Sequence, residues 1–236
     1  NFAQGALKLT DGLGYTRNAA GRVVIDNGLF TIDMNQGGLG PVQVRDTRVR
    51  MDFRSPNDGQ LALKGTFDGP IRESLDYLSR ADVGLENIDR NLPIDRTSGL
   101  MSVTGDMSLS LAQPAAFSPD FDFRINATDL NIRDYLAGLT LNAPSLPIRI
   151  TPSRVATSGR VSLGRITSDA SLDLQMNNGE LENLTVSAAF NGTTEDAASV
   201  LGPLPDYIKG DITGELTYVQ DINGRQNMRV SANLGR

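Results

Sequence analysis

Among its 236 residues the chain has no cysteine, no histidine and no tryptophan. Without cysteine there is neither a disulfide nor thiolate chemistry, and the compartment stays open because many periplasmic proteins also lack disulfides. Without histidine the usual general base near neutral pH is missing, and with it the Ser-His-Asp and Cys-His arrangements and the commonest zinc ligand. The sequence thereby argues against the classical histidine- or cysteine-dependent hydrolases and metalloenzymes. The expectation is a chain that is not an enzyme, with no catalytic residues, no cofactor and no metal. No apolar run approaches the roughly 20 residues of a membrane-spanning helix, and no signal-peptide pattern opens the chain. An excess of basic charge is lacking too: 22 Lys and Arg against 28 Asp and Glu leave a net charge of −6. That argues against nucleic acid as a partner. Arg45, Arg48, Arg50 and Arg54 do cluster, but acidic residues interleave them as on a solvated strand face. The first residue is asparagine, so the chain is expected to be a piece excised from a longer protein.

What is present is alternation. In residues 42–54, Val49, Met51 and Phe53 point one way while Arg48, Arg50, Asp52 and Arg54 point the other, the period-two signature of a sheet with one apolar and one polar face. A second strand follows over residues 60–67, after an Asn57-Asp58-Gly59 cluster able to supply the positive φ of a hairpin turn. Pro70 then sits at a helix-start position, with Glu73 in the first turn and Leu75 and Leu78 at helical spacing, which predicts a helix over residues 70–79. This ribbon with a short helix recurs at an offset of 123: residues 171–176 fall under 48–53, 189–192 under 66–69, and a second helix is expected over 193–201. The expected organisation is a first ribbon repeat over residues 1–95 and a second over 96–236, built as one structural unit.

Elsewhere the chain reads as strands and turns. Residues 2–10 form a first strand, 12–21 a loop, and 22–34 a hairpin around Asn27-Gly28, with 36–41 a glycine-rich connection. Residues 81–95 read as a short helix with a loop, 99–104, 106–111 and 121–125 as strands, and 129–135 as one helical turn or irregular. Strands follow at 139–141, 148–150, 160–163, 210–219 and 228–234. The fold class is therefore mainly β, a long curved antiparallel sheet, groove-like or open and barrel-like, with two or three short helices.

Such a meander has a face to cover. A ten-residue helix is only about 15 Å long, too small for it, so the apolar face packs on another sheet, closes into a barrel, or holds something apolar. Three N-glycosylation patterns, at Asn126, Asn183 and Asn191, are short enough to arise by chance, and Asp120 with Asp122 reads as solvated strand surface rather than a cation site. The candidate functional feature is the stripe Val49, Met51, Phe53, Leu61, Leu63, Phe67, Leu109, Leu111, Phe123, Ile125, Leu172, Leu174, Met176, Val186 and Phe190. On residue type it reads as the interior of a sandwich. The other reading is a lipid-lined groove.

The run Val44-Arg45-Asp46-Thr47-Arg48-Val49-Arg50-Met51-Asp52-Phe53, followed by Gly65-Thr66-Phe67-Asp68-Gly69-Pro70-Ile71 and the Leu75/Leu78 helix, resembles the AsmA-like family of periplasmic proteins, in particular its YhdP- and TamB-like lipid-bridge members. Residues 99–105 and 209–214 look like the strand openings found there. The resemblance implies a segment of a large protein anchored in the inner membrane of a Gram-negative bacterium, lying in the periplasm. Its groove would take phospholipid acyl chains between inner and outer membrane or serve outer-membrane assembly. Its partners would be adjoining segments of the same protein, and the membrane through regions outside this sequence. The alternative from a different class is a closed β-sandwich acting as a structural or protein-binding module.

Overall fold

The structure is a computed structural model that describes residues 1–6, 8–10, 14–54, 59–79, 93–110, 120–136, 138–177, 180–201, 203, 205 and 209–234. The protein is mainly β. It comprises two compact units, residues 1–94 with 100–125, and residues 95–99 with 126–236. The first contains β1 (Phe2–Gly5), β2 (Lys8–Thr10), β3 (Gly14–Tyr15), β4 (Arg17–Asp26), β5 (Leu29–Leu39), β6 (Val42–Asp52), β7 (Gln60–Pro70), helix α1 (Ile71–Ser79) and nearly all of β8 (Thr97–Ser110). β9 (Asp120–Leu136) starts in the first unit and continues in the second. The second also holds β10 (Leu139–Thr151), β11 (Arg154–Leu163), β12 (Ile166–Asn177), β13 (Glu180–Thr193), α2 (Thr194–Leu201), β14 (Asp211–Asp221) and β15 (Gln226–Leu234).

Among the described residues thirteen strands form one sheet in the order β1-β4-β5-β6-β7-β8-β9-β10-β11-β12-β13-β14-β15, while β2 and β3 pair separately. Every registered pair is antiparallel. The sheet is open, with β1 and β15 at the two ends of its order rather than paired to each other. Such an up-and-down order follows from short turns between alternating strands, and Asn27-Gly28, both at positive φ, makes the hairpin expected there.

In the first unit the apolar face survives a change of parity. Arg45 pairs with Thr66 but Arg48 with Lys64, so β6 carries one residue more than β7. The extra residue is accommodated at Asp46, which adopts φ +46°. Val42, Val44 and Thr47, all buried, thereby share a face with Val49 and Met51, although strict alternation would set Val44 among the arginines. The same device recurs on β1 and β4, where register shifts accompany Gln4 at φ +56° and Asn18 at φ +52°. Asparagine and aspartate tolerate this left-handed conformation better than other non-glycine residues. At this level Ala19, Met34, Leu39 and Val44 form the buried cluster of the unit, with Phe2, Phe67 and Tyr77 packed against it. Tyr77 belongs to α1, which thus covers one end of the apolar face.

α2 occupies the equivalent place in the second unit, between β13 and β14 as α1 lies between β7 and β8. Its start is fixed by a reciprocal cap. The Thr193 N–H donates to Asp196 Oδ2 at 3.1 Å while the Asp196 N–H donates to Thr193 Oγ1 at 3.1 Å. Both helices begin one residue later than the sequence predicts.

Several expectations are corrected. Residues 17–21 are strand, not loop; Ala19 is fully buried, and a Cβ on Gly21 would clash with the Asp33 carbonyl oxygen, so the small residues there serve close strand packing. β5 continues through Gly37 and Gly38 to Leu39, leaving only Gly40-Pro41 as the connection. Residues 99–110 are one strand rather than two. Residues 129–135 are strand, with Asp129 and Asp134 at φ +52° and +51° breaking the alternation that would have revealed it. Residues 139–151 are also one strand, whose Pro144 and Pro147 fall in a register gap between Asn142 and Ile148. Of the helix expected within 81–95, residues 81–92 lie outside the described residues; a 3-10 turn covers Ile94–Arg96.

Candidate functional site

Strand register turns the predicted stripe into rungs. In the first unit, Val23, Ile32, Val49, Leu63 and Met107 stand opposite one another across β4 to β8. One step along, so do Ile25, Phe30, Met51, Leu61 and Leu109. Nearer α1, Val44 pairs with Phe67, and Phe67 with Val103. On β9, Phe123 packs beside Gly105, where a Cβ would meet its ring carbon at 2.6 Å, and stacks on Phe121 with centroids 5.5 Å apart. Ile125 is half-buried on the same strand. Of the remaining residues expected here, Phe53 lies beyond the end of β6 and is 55% exposed, its N–H donating to the Gly28 carbonyl at 2.8 Å. Leu111 lies outside the described residues.

The second unit repeats the arrangement. Ile148, Thr157, Leu172, Val186, Tyr218 and Met228 form one rung over β10 to β15, and Ile150, Val155, Leu174 and Leu184 the next. Met176 follows on this face by alternation along β12, and it pairs with Leu181 rather than Glu182 because β13 carries one extra residue between Leu181 and Asn183. Phe190, opposite Ser168 and Gly214, closes the apolar face toward α2. More than half of these rung members were not singled out in the sequence: Phe30, Ile32 and Met107, or Leu184, Tyr218 and Met228, become visible only once turn lengths set the register.

Most of the predicted stripe is half-buried rather than buried, although within the rungs Ile32 is buried and Ile25 and Met228 are exposed. Val49, Met51, Leu61, Leu63, Leu172, Leu174, Val186 and Phe190 are all of intermediate exposure. Full burial instead collects near the helices and bulges, at Ala19, Met34, Val44, Ile71, Ala197 and Ile212. The reverse face is charged and paired in the first unit, where Arg22, Asp33, Arg48, Lys64 and Asp106 form one rung with alternating sign over most of its length. Within it Arg48 Nε donates to Asp33 Oδ1 at 2.5 Å. Arg45 pairs with Asp68, and Arg54 donates from both its backbone N–H and its guanidinium to Asp52. Those bonds hold the Asp52 carboxyl well below the usual carboxylate range. In the second unit Arg154 Nε and Nη2 donate to the two oxygens of Asp173 at 2.7 and 2.8 Å, and this fork depresses the Asp173 pKa. The same face carries hydroxyl and amide rungs, among them Ser158, Ser171, Ser187 and Thr217.

Chemically the arrangement offers apolar surface. Among the described residues no group of three or more carboxylates is placed to hold a cation, and no helix is long and apolar enough to cross a membrane. Comparison with protein-family models, curated proteins and solved structures finds no match.

Proposed function

We propose that the rung face of each unit is a surface for lipid acyl chains, and that the protein is a non-enzymatic, AsmA-like segment of the cell envelope. It would carry phospholipid between inner and outer membrane, or serve outer-membrane assembly, from the periplasm. Adjoining segments of the same protein and a membrane anchor outside this sequence would be its partners. The observation that carries this reading is the pair of rungs through Val49, apolar across β4 to β8, and through Leu172, carried by Leu172, Val186, Tyr218 and Met228 across β12 to β15, in which Val49, Leu63, Leu172 and Val186 are left half-exposed.

Moving a lipid through water exposes its tail. At about 0.8 kcal/mol per methylene, a 16-carbon chain costs on the order of 12 kcal/mol. A carrier offsets this with continuous apolar surface and needs no directional tail contacts. Methionine, leucine and valine rungs supply such surface, and Met51, Met107, Met176 and Met228 add side chains that reshape around variable tails. Charge confined to the reverse face keeps the groove free of desolvated ions.

The test is native mass spectrometry of the protein purified from bacteria, combined with photo-crosslinking from a photoreactive residue at position 172. Bound phospholipid and a lipid crosslink are expected. Met51→Asp or Leu174→Asp should abolish lipid binding while circular dichroism keeps its β-sheet signal. In a closed sandwich the same changes would bury an unpaired charge and unfold the protein. Unfolding of these variants, together with no lipid on the wild type, would overturn the proposal in favour of the sandwich.

A further inference from the structure

The rungs of the two units differ in polarity. In the first unit both are apolar from end to end, Val23 to Met107 and Ile25 to Leu109. In the second they are interrupted on β14, where Tyr218 stands opposite Val186 and Gln220 opposite Leu184. Both side chains are half-buried, and Tyr218 Oη donates to Gln220 Oε1 at 2.9 Å. The other polar rung member, Thr157, is satisfied by its own sheet, its hydroxyl donating to the Pro147 carbonyl at 2.8 Å. Gln220 is not. Its amide nitrogen has no acceptor among the described residues.

A polar side chain on an apolar face costs free energy unless its donors are paired. The Tyr218 bond holds the Gln220 carboxamide with Oε1 toward the ring hydroxyl, which leaves both N–H donors of Nε2 for an acceptor from outside the protein. Gln226, directly opposite Gln220, adds a second amide to the same face.

We propose that Tyr218, Gln220 and Gln226 form a station for the ester carbonyls of a diacyl phospholipid, with Gln220 Nε2 donating to a carbonyl oxygen. The assignment rests on the reading of this face as an acyl surface and fixes which way the lipid lies on it.

Three features fit this ligand. The first is the acceptor. A tail lying on the rungs displaces water from around Gln220, so the lipid itself must replace the lost hydrogen bond. The ester carbonyl is neutral, accepts hydrogen bonds and is joined directly to the tail, whereas a phosphate would call for a cation, and these rungs carry no lysine or arginine. The second is position. Gln220 is the last residue but one of β14, so an ester bound there sends the phosphate past the turn that follows and into water. The third is length. From β14 to β10 four interstrand steps cover about 19 Å, the length of an extended tail of about 16 carbons. Leu184, Leu174, Val155 and Ile150 line that path without a polar side chain. The reverse placement would set the carbonyls against Ile148 and Ile150, which offer no side-chain donor.

The test is native mass spectrometry of the full chain mixed, in detergent micelles, with equal amounts of dipalmitoyl phosphatidylethanolamine and its dialkyl ether analogue. The analogue keeps the headgroup and the tails but lacks both carbonyls. The diester should be retained about fivefold over the diether, as one added hydrogen bond would give. Gln220→Leu should bring that ratio to one without lowering the amount of diether bound, and with circular dichroism unchanged. Photo-crosslinking reads the direction independently: a phospholipid with a diazirine at the tail end should label β10, and one with a diazirine beside the ester should label β14. Equal retention of both lipids by the wild type, a preference that survives Gln220→Leu, or tail-end labels scattered over all strands would each overturn the station while leaving the acyl surface standing. Binding of neither lipid would overturn both.

Discussion

The ring of Tyr77 occupies the space that a side chain on Gly40 would need. A Cβ on Gly40 would lie 2.6 Å from Tyr77 Cε2, and Gly40 itself is at φ +58°, where L-residues are strained. The turn from β5 to β6 and helix α1 are therefore fitted to each other. Gly40→Ala should destabilise the first unit by about 1–3 kcal/mol, from strain and displacement of the ring. Chemical denaturation followed by circular dichroism measures it, and an unchanged midpoint would show that the contact does not hold the helix.

Asp46 gives a prediction of opposite sign for two substitutions. Glycine adopts φ +46° without penalty, so Asp46→Gly should leave stability unchanged or raise it slightly. Asp46→Val should cost about 1–2 kcal/mol, because a β-branched residue is poorly tolerated there. Equal effects in thermal melts would mean that the bulge relaxes away.

Acid should act through Asp52 and Asp173. Both are held below the ordinary carboxylate range, by the Arg54 and Arg154 hydrogen bonds respectively. A group with a depressed folded pKa contributes stability above its unfolded pKa and loses it as pH falls through the folded value. The loss should thus appear on the acid side of the usual carboxylate range, with none between pH 5 and 7. Carboxyl NMR titration should place both midpoints below those of free aspartate. Asp173→Asn should flatten the acid limb at a cost of no more than about 1 kcal/mol at neutral pH, since the pair is partly exposed.

Legibility from sequence follows the physics of each element. The Asn27-Gly28 hairpin and both helices were readable, because turn chemistry and capping are local. The strand at residues 129–135 was not, because Asp129 and Asp134 take left-handed conformations that only neighbouring strands impose. Ala19, Ala20 and Gly21 looked like a loop because small residues are needed where strands approach closely, a fact about partners absent from the local pattern. Of the candidate face, Val49, Met51, Leu61 and Leu63 could be placed by alternation. Their partners Ile32, Phe30 and Met107 required register. Phe53 continued the alternation past the point where β6 ends.

Because each strand of the large sheet bonds only to its neighbours in the order, and that order follows the chain apart from the detour of β2 and β3, removing a two-strand hairpin leaves the remaining ladders with their register rules intact. A protein built this way changes its reach by whole hairpins, as a ladder is cut between rungs. Under tension applied across the end strands of that order it would yield strand by strand, each failure releasing that strand's own length of chain, instead of collapsing at a single breaking force.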